Sequence, residues 1–549
     1  MLKHIHFDDT DTRVKRYLAP KKILMTRGEW RGTDRLLHYK NRQLGTHEPE
    51  VTTLVSTADE PAGILLDFGT ELHGGICLSL FRIRDGEETT VRVSFGESAN
   101  EALSHIGEKN AGNDHSMRDF TFVSRSWTVS EYGMTGFRFV YLEFLMPAKI
   151  NIKTIQAYAI YQPYEYIGSF ESSDETLNRI YDTAAYTCHL CLQNEIWDGI
   201  KRDRLVWIGD LAPEMKTTKY VFGDVPQIYG GLALTAMNTK LPTWMNGIAT
   251  YSLWWLVNLD EWCFYTGKRH YLTEQREYIV GTVRQILENV DDDGDFTASD
   301  FIDWPSTGFP SAKAGTRALL IFCMRACVRM LSILGEDLLV RECERVLALA
   351  EARTPSCGGL KQIAALLSLA GIGGEDAGDC LKTGGAHGFS TFMSYYILTA
   401  MTKYCSTQET LDALRAYYGA MLDLGATTFW EDFDIEWAEN ACKLDEICDG
   451  TKRDIHGDNG KYCYKGFRHS LCHGWSSGPV AFLTEHVLGI EIVGEGCTKI
   501  RLSPHLGDLD YARGSVATPH GKITVEHRRN ENGTVSTKID LPHGVELAM

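Results

Sequence analysis

From residue 166 to residue 490, the apolar residues recur three and four positions apart, which is the spacing of one face of a helix. Ser173 or Asp174 can cap the first helix of this range, because short polar side chains accept hydrogen bonds from free backbone N–H groups. Later helical segments come in pairs, two of which meet at Gly267 and at Gly335. The range therefore predicts a series of αα-hairpins.

The number of these hairpins predicts a closed ring. The 325 residues of 166–490 divide into twelve segments of about 27 residues, a helix and its loop each. Hairpins in series form a toroid or an open solenoid. No repeating sequence signature accompanies the pairs, which argues against the solenoid. We therefore predict six hairpins that close into an (α/α)6 barrel.

Short runs of alternating apolar and polar residues, broken by Gly, Asn and Asp, lie on both sides of the helical range. Strands at this spacing, without helical patterns between them, are typical of antiparallel β-sandwiches. The polar stretch at 98–110 interrupts the first set and is expected to reach towards another domain. We predict a multidomain chain with an N-terminal β-sandwich at 1–165, the barrel at 166–490 and a small C-terminal β-sandwich at 491–549.

Composition limits the partners of the chain. The formal net charge of −18 argues against nucleic acid, because phosphate contacts need a positive surface. The sequence starts without the apolar run of a signal peptide and contains no membrane span of roughly 18 apolar residues. We expect a cytoplasmic protein that does not bind a membrane. Its 15 scattered cysteines favour free thiols over a disulfide framework, and the lone CxxC at Cys188 and Cys191 predicts no metal site.

Carboxylates and aromatic residues are concentrated at 194–214, with the sequence NEIWDGIKRDRLVWIGDLAPE. Glycoside hydrolysis needs one carboxylic acid to protonate the leaving oxygen and one carboxylate to activate water or attack. Indole rings supply flat apolar surfaces on which the C–H face of a sugar can lie. The stretch predicts a sugar site, and a solvated loop of ion pairs is the alternative. Its candidate residues are Glu195, Trp197, Asp198, Arg202, Asp203, Trp207, Asp210 and Glu214.

A second cluster of acids and indoles occurs at 430–437 and begins with Trp430 and Glu431. Only a closed tertiary structure brings it next to the first cluster, and the loops at one rim of a ring converge in that way. Glu431 is the candidate for the base that activates water. The alternative is an acid-rich helix N-terminus that complements the helix dipole.

Two shorter segments combine polar and aromatic residues in the same manner. Asp303 and Trp304 lie on a Pro- and Gly-containing loop, for which ordinary loop packing is the alternative. His469 and His473 flank a Ser- and Gly-rich turn beside Trp475. We expect a sugar contact from this turn, with structural histidines as the alternative.

Several segments resemble one known family. WDGIKRDRLVWIGD resembles the DGxxRExxxWxGD signature of the bacterial α-L-rhamnosidases, glycoside hydrolase family 78. In the same order as in that family, LLDFGTELHGG, FGESANEAL and FRFVYLEFL are similar to its N-terminal β-domain, and ATTFWE and SLCHGWSSGP are similar to the later active-site loops of its barrel. IRLSPHLGDLDYARGSVATPHGKI is similar to its C-terminal β-domain. The resemblance implies an (α/α)6 barrel between β-sandwiches and hydrolysis of terminal, non-reducing α-L-rhamnose with inversion. It also implies that Asp198 and Asp210 bind the sugar, that Arg202 is the arginine of the signature and that Glu431 is the general base.

One position departs from the family. The general acid of the family is a Glu, and the matching residue here is Asp203. The missing methylene withdraws the carboxyl by about 1.5 Å, and a displacement of about 1 Å can cost on the order of a hundredfold in rate. We expect either an inward shift of the loop or a different position of the sugar.

The resulting prediction is an inverting exo-glycosidase that releases α-L-rhamnose from small rhamnosides or oligosaccharides. Asp203 would be the general acid and Glu431 the base, about 6.5 to 9.5 Å apart as in inverting enzymes. No metal or organic cofactor is expected, and the β-domains would serve packing or homodimer formation. The alternatives are an (α/α)6 glycosidase for another deoxy or uronic sugar and a non-catalytic sugar-binding protein. The predicted sugar contacts are Asp198, Arg202, Trp207, Asp210, Asp303, Trp304, Trp430 and His473.

Overall fold

The computed structural model describes residues 11–84, 86–112 and 117–548. The fold is multidomain, with a helical domain joined to β-sheet domains on either side in sequence. Residues 1–10, for which the sequence predicts no signal peptide, lie outside the described part. Among the described residues, no helix combines the length and apolar character that a membrane crossing requires.

The N-terminal domain is built on one nine-stranded antiparallel sheet. Its strands run in the order β3-β4-β9-β5-β8-β6-β7, while β1 pairs with β9 and β2 with β5. Breaks in register between Asp67 and Leu72, and between Gly74 and Ile76, interrupt the pairing of the long β5. The strands are β1 (Val14–Leu18), β2 (Lys22–Arg27), β3 (Glu29–Arg31), β4 (Thr52–Ser56), β5 (Ala62–Arg84), β6 (Glu88–Gly96), β7 (Asp119–Arg125), β8 (Thr128–Phe144) and β9 (Ala148–Tyr161).

The apolar sides of these strands pack in a core of their own. Ile64, Leu80, Val91, Leu142 and Ile152, from four different strands, are fully buried in it. At about 25 cal/mol per Å² of apolar surface, each such side chain contributes roughly 1.5–3 kcal/mol when it leaves water. The N-terminal sheet therefore has the core that the alternating sequence predicted.

Helices make up most of the central domain, and a short helix, α1, belongs to the N-terminal domain. They are α1 (Ala99–Leu103), α2 (Glu175–Cys191), α3 (Leu211–Val221), α4 (Pro226–Asn238), α5 (Ala249–Thr266), α6 (His270–Glu274), α7 (Arg276–Leu287), α8 (Ala312–Leu334), α9 (Asp337–Glu351), α10 (Lys361–Ala370), α11 (Gly374–Lys382), α12 (Ser394–Met401), α13 (Thr407–Asp423) and α14 (Pro479–Phe482).

The predicted helix signals are confirmed at several ends. Asp174 caps α2, accepting hydrogen bonds from the N–H groups of Thr176 and Leu177. Helices α5 and α8 end at Gly267 and Gly335, which have φ of 70° and 74°. Glycine adopts this left-handed conformation without steric cost, so each hairpin turns where the sequence indicated. Among the described residues, thirteen α-helices follow α1 rather than the predicted twelve, and two of them, α6 and α14, are short segments of five and four residues.

The last residues form two small sheets, whose strands are β13 (Ile490–Ile492), β14 (Lys499–Leu502), β15 (Tyr511–Thr518), β16 (Gly521–Arg529), β17 (Val535–Asp540) and β18 (Glu546–Leu547). A strand from before the first barrel helix, β10 (Ser169–Ser172), pairs with β15 at the edge of the four-stranded sheet. In the three-stranded sheet, β14 and β18 are parallel, so this region is not purely antiparallel as predicted. A parallel partner is available because the chain returns across the domain before β18. A parallel two-residue pair in the central domain joins β11 (Ala441–Cys442) and β12 (Arg453–Asp454).

The stretch at 98–110 reaches the helical domain, as its polar sequence predicted. The Ala99 N–H donates to the Leu444 carbonyl at 2.8 Å, and the Phe467 N–H donates to the Asn110 carbonyl at 3.1 Å. The Asn100 side chain donates to the carbonyl of Glu446 at 3.1 Å. The N-terminal domain is thereby fixed to the long loop that follows α13.

The expectation that the cysteines are all free thiols is wrong for one pair. Cys442 and Cys448 form a disulfide, with Cα atoms 6.2 Å apart. Two cysteines six residues apart on one loop come within the usual span of such a bond. The other thirteen cysteines are free.

Candidate active site

Three chain segments lie side by side at one end of the helical domain. The middle one, 470–474, donates from the His473 N–H to the Phe429 carbonyl at 3.0 Å and from the Gly474 N–H to the Asp198 carbonyl at 2.7 Å. The Glu431 N–H donates to the Ser470 carbonyl at 2.9 Å. The first and second carboxylate clusters, more than 200 residues apart in sequence, are therefore neighbours through this middle segment.

The loop between α2 and α3 is closed at its base by Asp198. Its N–H donates to the Leu205 carbonyl at 3.0 Å, and its carboxylate accepts from the Leu205 N–H at 2.9 Å. Asp203 and Arg204, near the tip, have φ of 53° and 56°. Few residues adopt this left-handed conformation, and Asp tolerates it better than most. The short acid thus fits a sharp turn that directs residues 202–204 back over the site.

Asp210 and Glu214 lie at the start of α3 and are buried. Burial raises the pKa of Asp210 well above its usual value, although the hydrogen bond from the Tyr251 hydroxyl, 3.1 Å long, acts in the opposite direction. Burial, and then the neighbouring charge of Asp210, raise the pKa of Asp198 in the same way. Carboxyl groups that retain a proton more readily than exposed acids can donate as well as accept hydrogen bonds.

Arg202 connects the two carboxylates expected to do the chemistry. One of its terminal nitrogens lies 3.2 Å from the carboxylate of Asp203, and the other forms an ion pair with Glu431. Its Nε donates to the Arg468 carbonyl at 2.9 Å. Because the two acids contact different nitrogens of one guanidinium, they face the same small volume.

Hydrogen bonds hold both the backbone and the side chain of Glu431. Its carbonyl accepts from the Trp475 indole at 2.8 Å and from the Thr391 hydroxyl at 2.5 Å. Its second carboxylate oxygen accepts from the Ser470 N–H at 3.1 Å. The side chain is only 4% exposed. A group fixed in this manner can act on a water or a substrate without a reorganisation of its own.

His473 lies at the centre of the acids. Its Nε2 is 3.6 Å from Glu431, 3.7 Å from Asp198 and 3.9 Å from Asp210. Burial, and then the positive charge of Arg202, lower its pKa well below the usual value, so the imidazole is neutral near pH 7. A neutral imidazole among carboxyls offers a further directed polar contact to a hydroxylated ligand.

An arc of aromatic rings borders these polar groups. Neighbouring ring centroids in the arc are 4.4 to 6.4 Å apart. The arc starts beside Asp210 and returns to His473, and its order is Trp207, Tyr251, Phe301, Trp304, Tyr464, Trp475 and His473. Polar groups at the centre and aromatic faces at the border are the combination on which a sugar ring is bound.

Comparison with protein families agrees with this arrangement. Residues 165–333 match the bacterial alpha-L-rhamnosidase 6 hairpin glycosidase domain, and residues 489–549 match the bacterial alpha-L-rhamnosidase C-terminal domain. These two segments belong to domains of the bacterial alpha-L-rhamnosidases, which are glycoside hydrolases. No curated protein sequence shows significant similarity to it.

Solved rhamnosidase structures share the fold. The GH78 rhamnosidase of Bacillus sp. GL1 superposes with a TM-score of 0.72 over 92% of this chain at 21% identity. A rhamnosidase from Klebsiella oxytoca with rhamnose bound superposes with a TM-score of 0.67 over 86% of this chain at 18% identity. The α-L-rhamnosidase of Streptomyces avermitilis complexed with L-rhamnose superposes with a TM-score of 0.68 over 90% of this chain at 17% identity. The chain spans 55% of the Bacillus protein and 50% of the Streptomyces protein but 96% of the Klebsiella protein.

The predicted sugar-contact residues occupy different positions in the structure. Asp198, Arg202, Asp210 and His473 meet at the polar centre, and Trp207 and Trp304 belong to the aromatic arc, as described above. Asp303 caps the 3-10 turn at Trp304–Ser306 through the Ser306 N–H and accepts from the Ser390 hydroxyl at 2.9 Å. These contacts are those of the loop-packing alternative.

Trp430 is directed into the core. It is 1% exposed and packs edge to face on Phe433 at 5.4 Å. Trp197 lies apart as well, against His73 of the N-terminal domain at 5.2 Å. In the described part of the chain, neither indole has a ring contact with a member of the aromatic arc.

Three members of the arc were missed from the sequence. Tyr251 stands in the first turn of α5 and was included in a general helical pattern, and Tyr464 is on a loop without a motif. Phe301 lies two positions before Asp303 of the predicted pair Asp303 and Trp304, which is its only local signal.

Proposed function

We propose that the chain is an inverting exo-α-L-rhamnosidase that releases terminal, non-reducing α-L-rhamnose from small rhamnosides or oligosaccharides. The observation that carries this proposal is the contact of Asp203 and Glu431 with one guanidinium, beside a polar centre bordered by aromatic rings. The match of two segments to rhamnosidase domains supports rhamnose as the sugar. The proposed architecture is the family's (α/α)6 barrel between two β-sandwiches, with the domain limits at residues 165 and 490.

In this proposal Asp203 donates a proton to the glycosidic oxygen, and Glu431 removes a proton from the attacking water on the opposite face of the sugar. Asp203 is the more exposed of the two, with 14% of its side chain accessible. That is the expected property of an acid that faces the leaving group. The two carboxyls should lie about 6.5 to 9.5 Å apart in the substrate complex.

The remaining groups would hold the sugar. Asp198, Asp210 and neutral His473 are suited to the hydroxyl groups, because each is buried and each has polar atoms directed at the same centre. Trp207 and Trp304 supply apolar surface for the C–H face of the ring and the methyl group that distinguishes a 6-deoxy sugar.

Leaving-group dependence tests the two catalytic roles separately. The p-nitrophenolate ion is a good leaving group and departs without being protonated. The alkoxide of a methyl glycoside or a disaccharide is a poor leaving group and must be protonated as it departs. General acid catalysis contributes about 10²–10⁴-fold. We therefore expect Asp203→Asn to lower kcat/KM by that factor for a rhamnosyl disaccharide and much less for p-nitrophenyl α-L-rhamnopyranoside. Glu431→Gln should lower kcat/KM for both substrates alike.

The matched control is Asp434→Asn, which changes an acid on the same segment as Glu431 that caps the turn at Ile435–Ala438 instead of facing the polar centre. The anomer formed first, followed by proton NMR, should be β-L-rhamnose, and early release of the α-anomer would exclude inversion. Turnover of another sugar in preference would support a related glycosidase. Rhamnose binding without turnover by the unmutated protein would support the binding-protein alternative.

A further inference from the structure

A fully buried ionic cluster lies directly behind the proposed catalytic loops. Its acids, Glu97 and Glu101, come from the end of β6 and from α1 of the N-terminal domain. Its cation, Lys201, comes from the signature loop, next to Arg202. The side chains of Glu97 and Glu101 are 0% exposed and that of Lys201 is 3% exposed. The domains therefore meet through charges that are removed from water.

Glu97, Glu101 and His456 have ligand atoms within 4.8 Å of one another, a spacing that a metal ion could use. However, the Lys201 ammonium is 2.9 Å from Glu97 and 3.2 Å from Glu101. It fills the position of a cation between the two carboxylates. Two buried acids so close together need a positive partner, and the chain supplies it from its own loop.

Lys201 also fixes a second loop. Its ammonium donates to the carbonyls of Phe467 and His469, at 2.9 and 2.6 Å. The Arg202 side chain donates to the carbonyl between them, that of Arg468. Two consecutive cations thus bind three consecutive carbonyls, which sets the signature loop in register with the loop at 467–473.

The acids hold these loops from the other side. Glu97 accepts from the Leu471 N–H at 2.6 Å, and Glu101 accepts from the Glu97 N–H at 2.8 Å. His456 completes the cluster, with Nδ1 2.9 Å from the Ser98 hydroxyl and Nε2 2.9 Å from the His469 carbonyl. Leu471 stands between two groups of the site. Ser470, just before it, donates its N–H to the Glu431 carboxylate, and His473 comes two positions after it.

We propose that Glu97 and Glu101 are positioning residues, through which the N-terminal domain fixes both loops that carry Arg202, Asp203 and His473. Neither acid touches the polar centre itself. Their effect is exerted through Lys201 and the backbone of Leu471. The catalytic part of this inference rests on the proposed function. The structural part, the fixing of the loops, does not.

The test uses Glu101→Gln in the full chain, since Gln preserves the size of the side chain and removes its charge. A shift of the loops by about 1 Å corresponds to a loss on the order of a hundredfold. We expect kcat to fall about tenfold to a hundredfold with KM changed by less than about threefold. Backbone amides of 199–205 and 467–473 should exchange hydrogen faster, while those of α8 keep their rates. If Glu101→Gln does not fold, Glu97→Gln carries the same test.

The matched control is Glu261→Gln. Glu261 accepts from Lys216 and Lys219 at 2.7 Å, on the end of α3 away from Asp210. This variant loses a comparable ionic contact and should keep both kcat and the exchange rates of the two loops.

The outcomes separate the two proposals. Unchanged exchange in the loops of Glu101→Gln overturns the positioning inference, and so does faster exchange with an unchanged kcat. An equal fall of kcat in Glu261→Gln would show a general loss of stability and would also overturn it. If the unmutated protein hydrolyses no rhamnoside, the proposed function fails, and the exchange rates alone decide whether the two acids hold the loops.

Discussion

Replacing Glu97 with Gln should change how the stability of this protein depends on pH. Burial, opposed by the charge of Lys201, raises the pKa of Glu97 from 4.5 to about 7 in the folded chain. In the unfolded chain, the pKa returns to its ordinary value. Between these two values the folded state therefore binds more protons than the unfolded state, and the free energy of unfolding decreases as the pH rises.

The magnitude follows from the difference of about 2.5 pKa units. At 1.36 kcal/mol for each unit, Glu97 contributes about 3 kcal/mol of stability that is present below pH 4.5 and lost by about pH 7. Gln cannot ionise, so the variant lacks this loss. Relative to the wild type, Glu97→Gln should gain about 3 kcal/mol between pH 4.5 and pH 7.5.

Guanidinium denaturation of both proteins at pH 4.5, 6 and 7.5 measures this gain. Taking the difference between the two proteins at each pH removes the ionisations of groups that lie far from residue 97. A difference that stays constant within about 1 kcal/mol, or that favours the wild type as the pH rises, would refute the assignment of a raised pKa to Glu97 and with it the account of a desolvated cluster.

Two further predictions concern the site itself. A methyl group on Gly474 would lie 1.8 Å from the carboxylate of Glu214, so Gly474→Ala should cost about 3 kcal/mol or more by overpacking. The control is Gly112→Ala, where nothing lies within 4 Å of the added methyl. Equal melting temperatures of the two variants in thermal unfolding would contradict the prediction. Tyr251→Phe removes the hydrogen bond to Asp210, and an ordinary hydrogen bond contributes about 0.5–1.5 kcal/mol. KM for a rhamnoside should rise about twofold to tenfold, and an unchanged KM would show that Asp210 does not depend on Tyr251.

Much of the fold could be read from the sequence because its signals are local. The cap at Asp174 and the glycines at 267 and 335 act within one turn of chain, so the helix boundaries that they predict do not depend on distant residues. The strand β10 shows the limit of such reading. Its four residues carry no signal that their partner is β15, some 340 positions away. A strand partner at that distance is selected by packing, which a local pattern does not contain.

The candidate site divides in the same way. The resemblance and the density of acids identified Asp203, Arg202 and Glu431, because the types of residue needed for glycoside chemistry are few. The same reasoning proposed Trp430 and Asp303, and the structure shows one in the core and the other in a loop cap. A residue type indicates which chemistry is available, but the direction of a side chain depends on its neighbours.

The sequence by itself therefore determined the kind of elements, their order and the chemical groups available for sugar hydrolysis. Only the tertiary structure decided which groups meet. Arg202 reaches Glu431 across 229 positions, and Glu97 reaches Leu471 across 374. Buried charges and carbonyls must find partners wherever the folded chain provides them, since water is absent there. For that reason the N-terminal domain, for which the sequence predicted strands and one stretch that reaches towards another domain, also supports the loops of the candidate site.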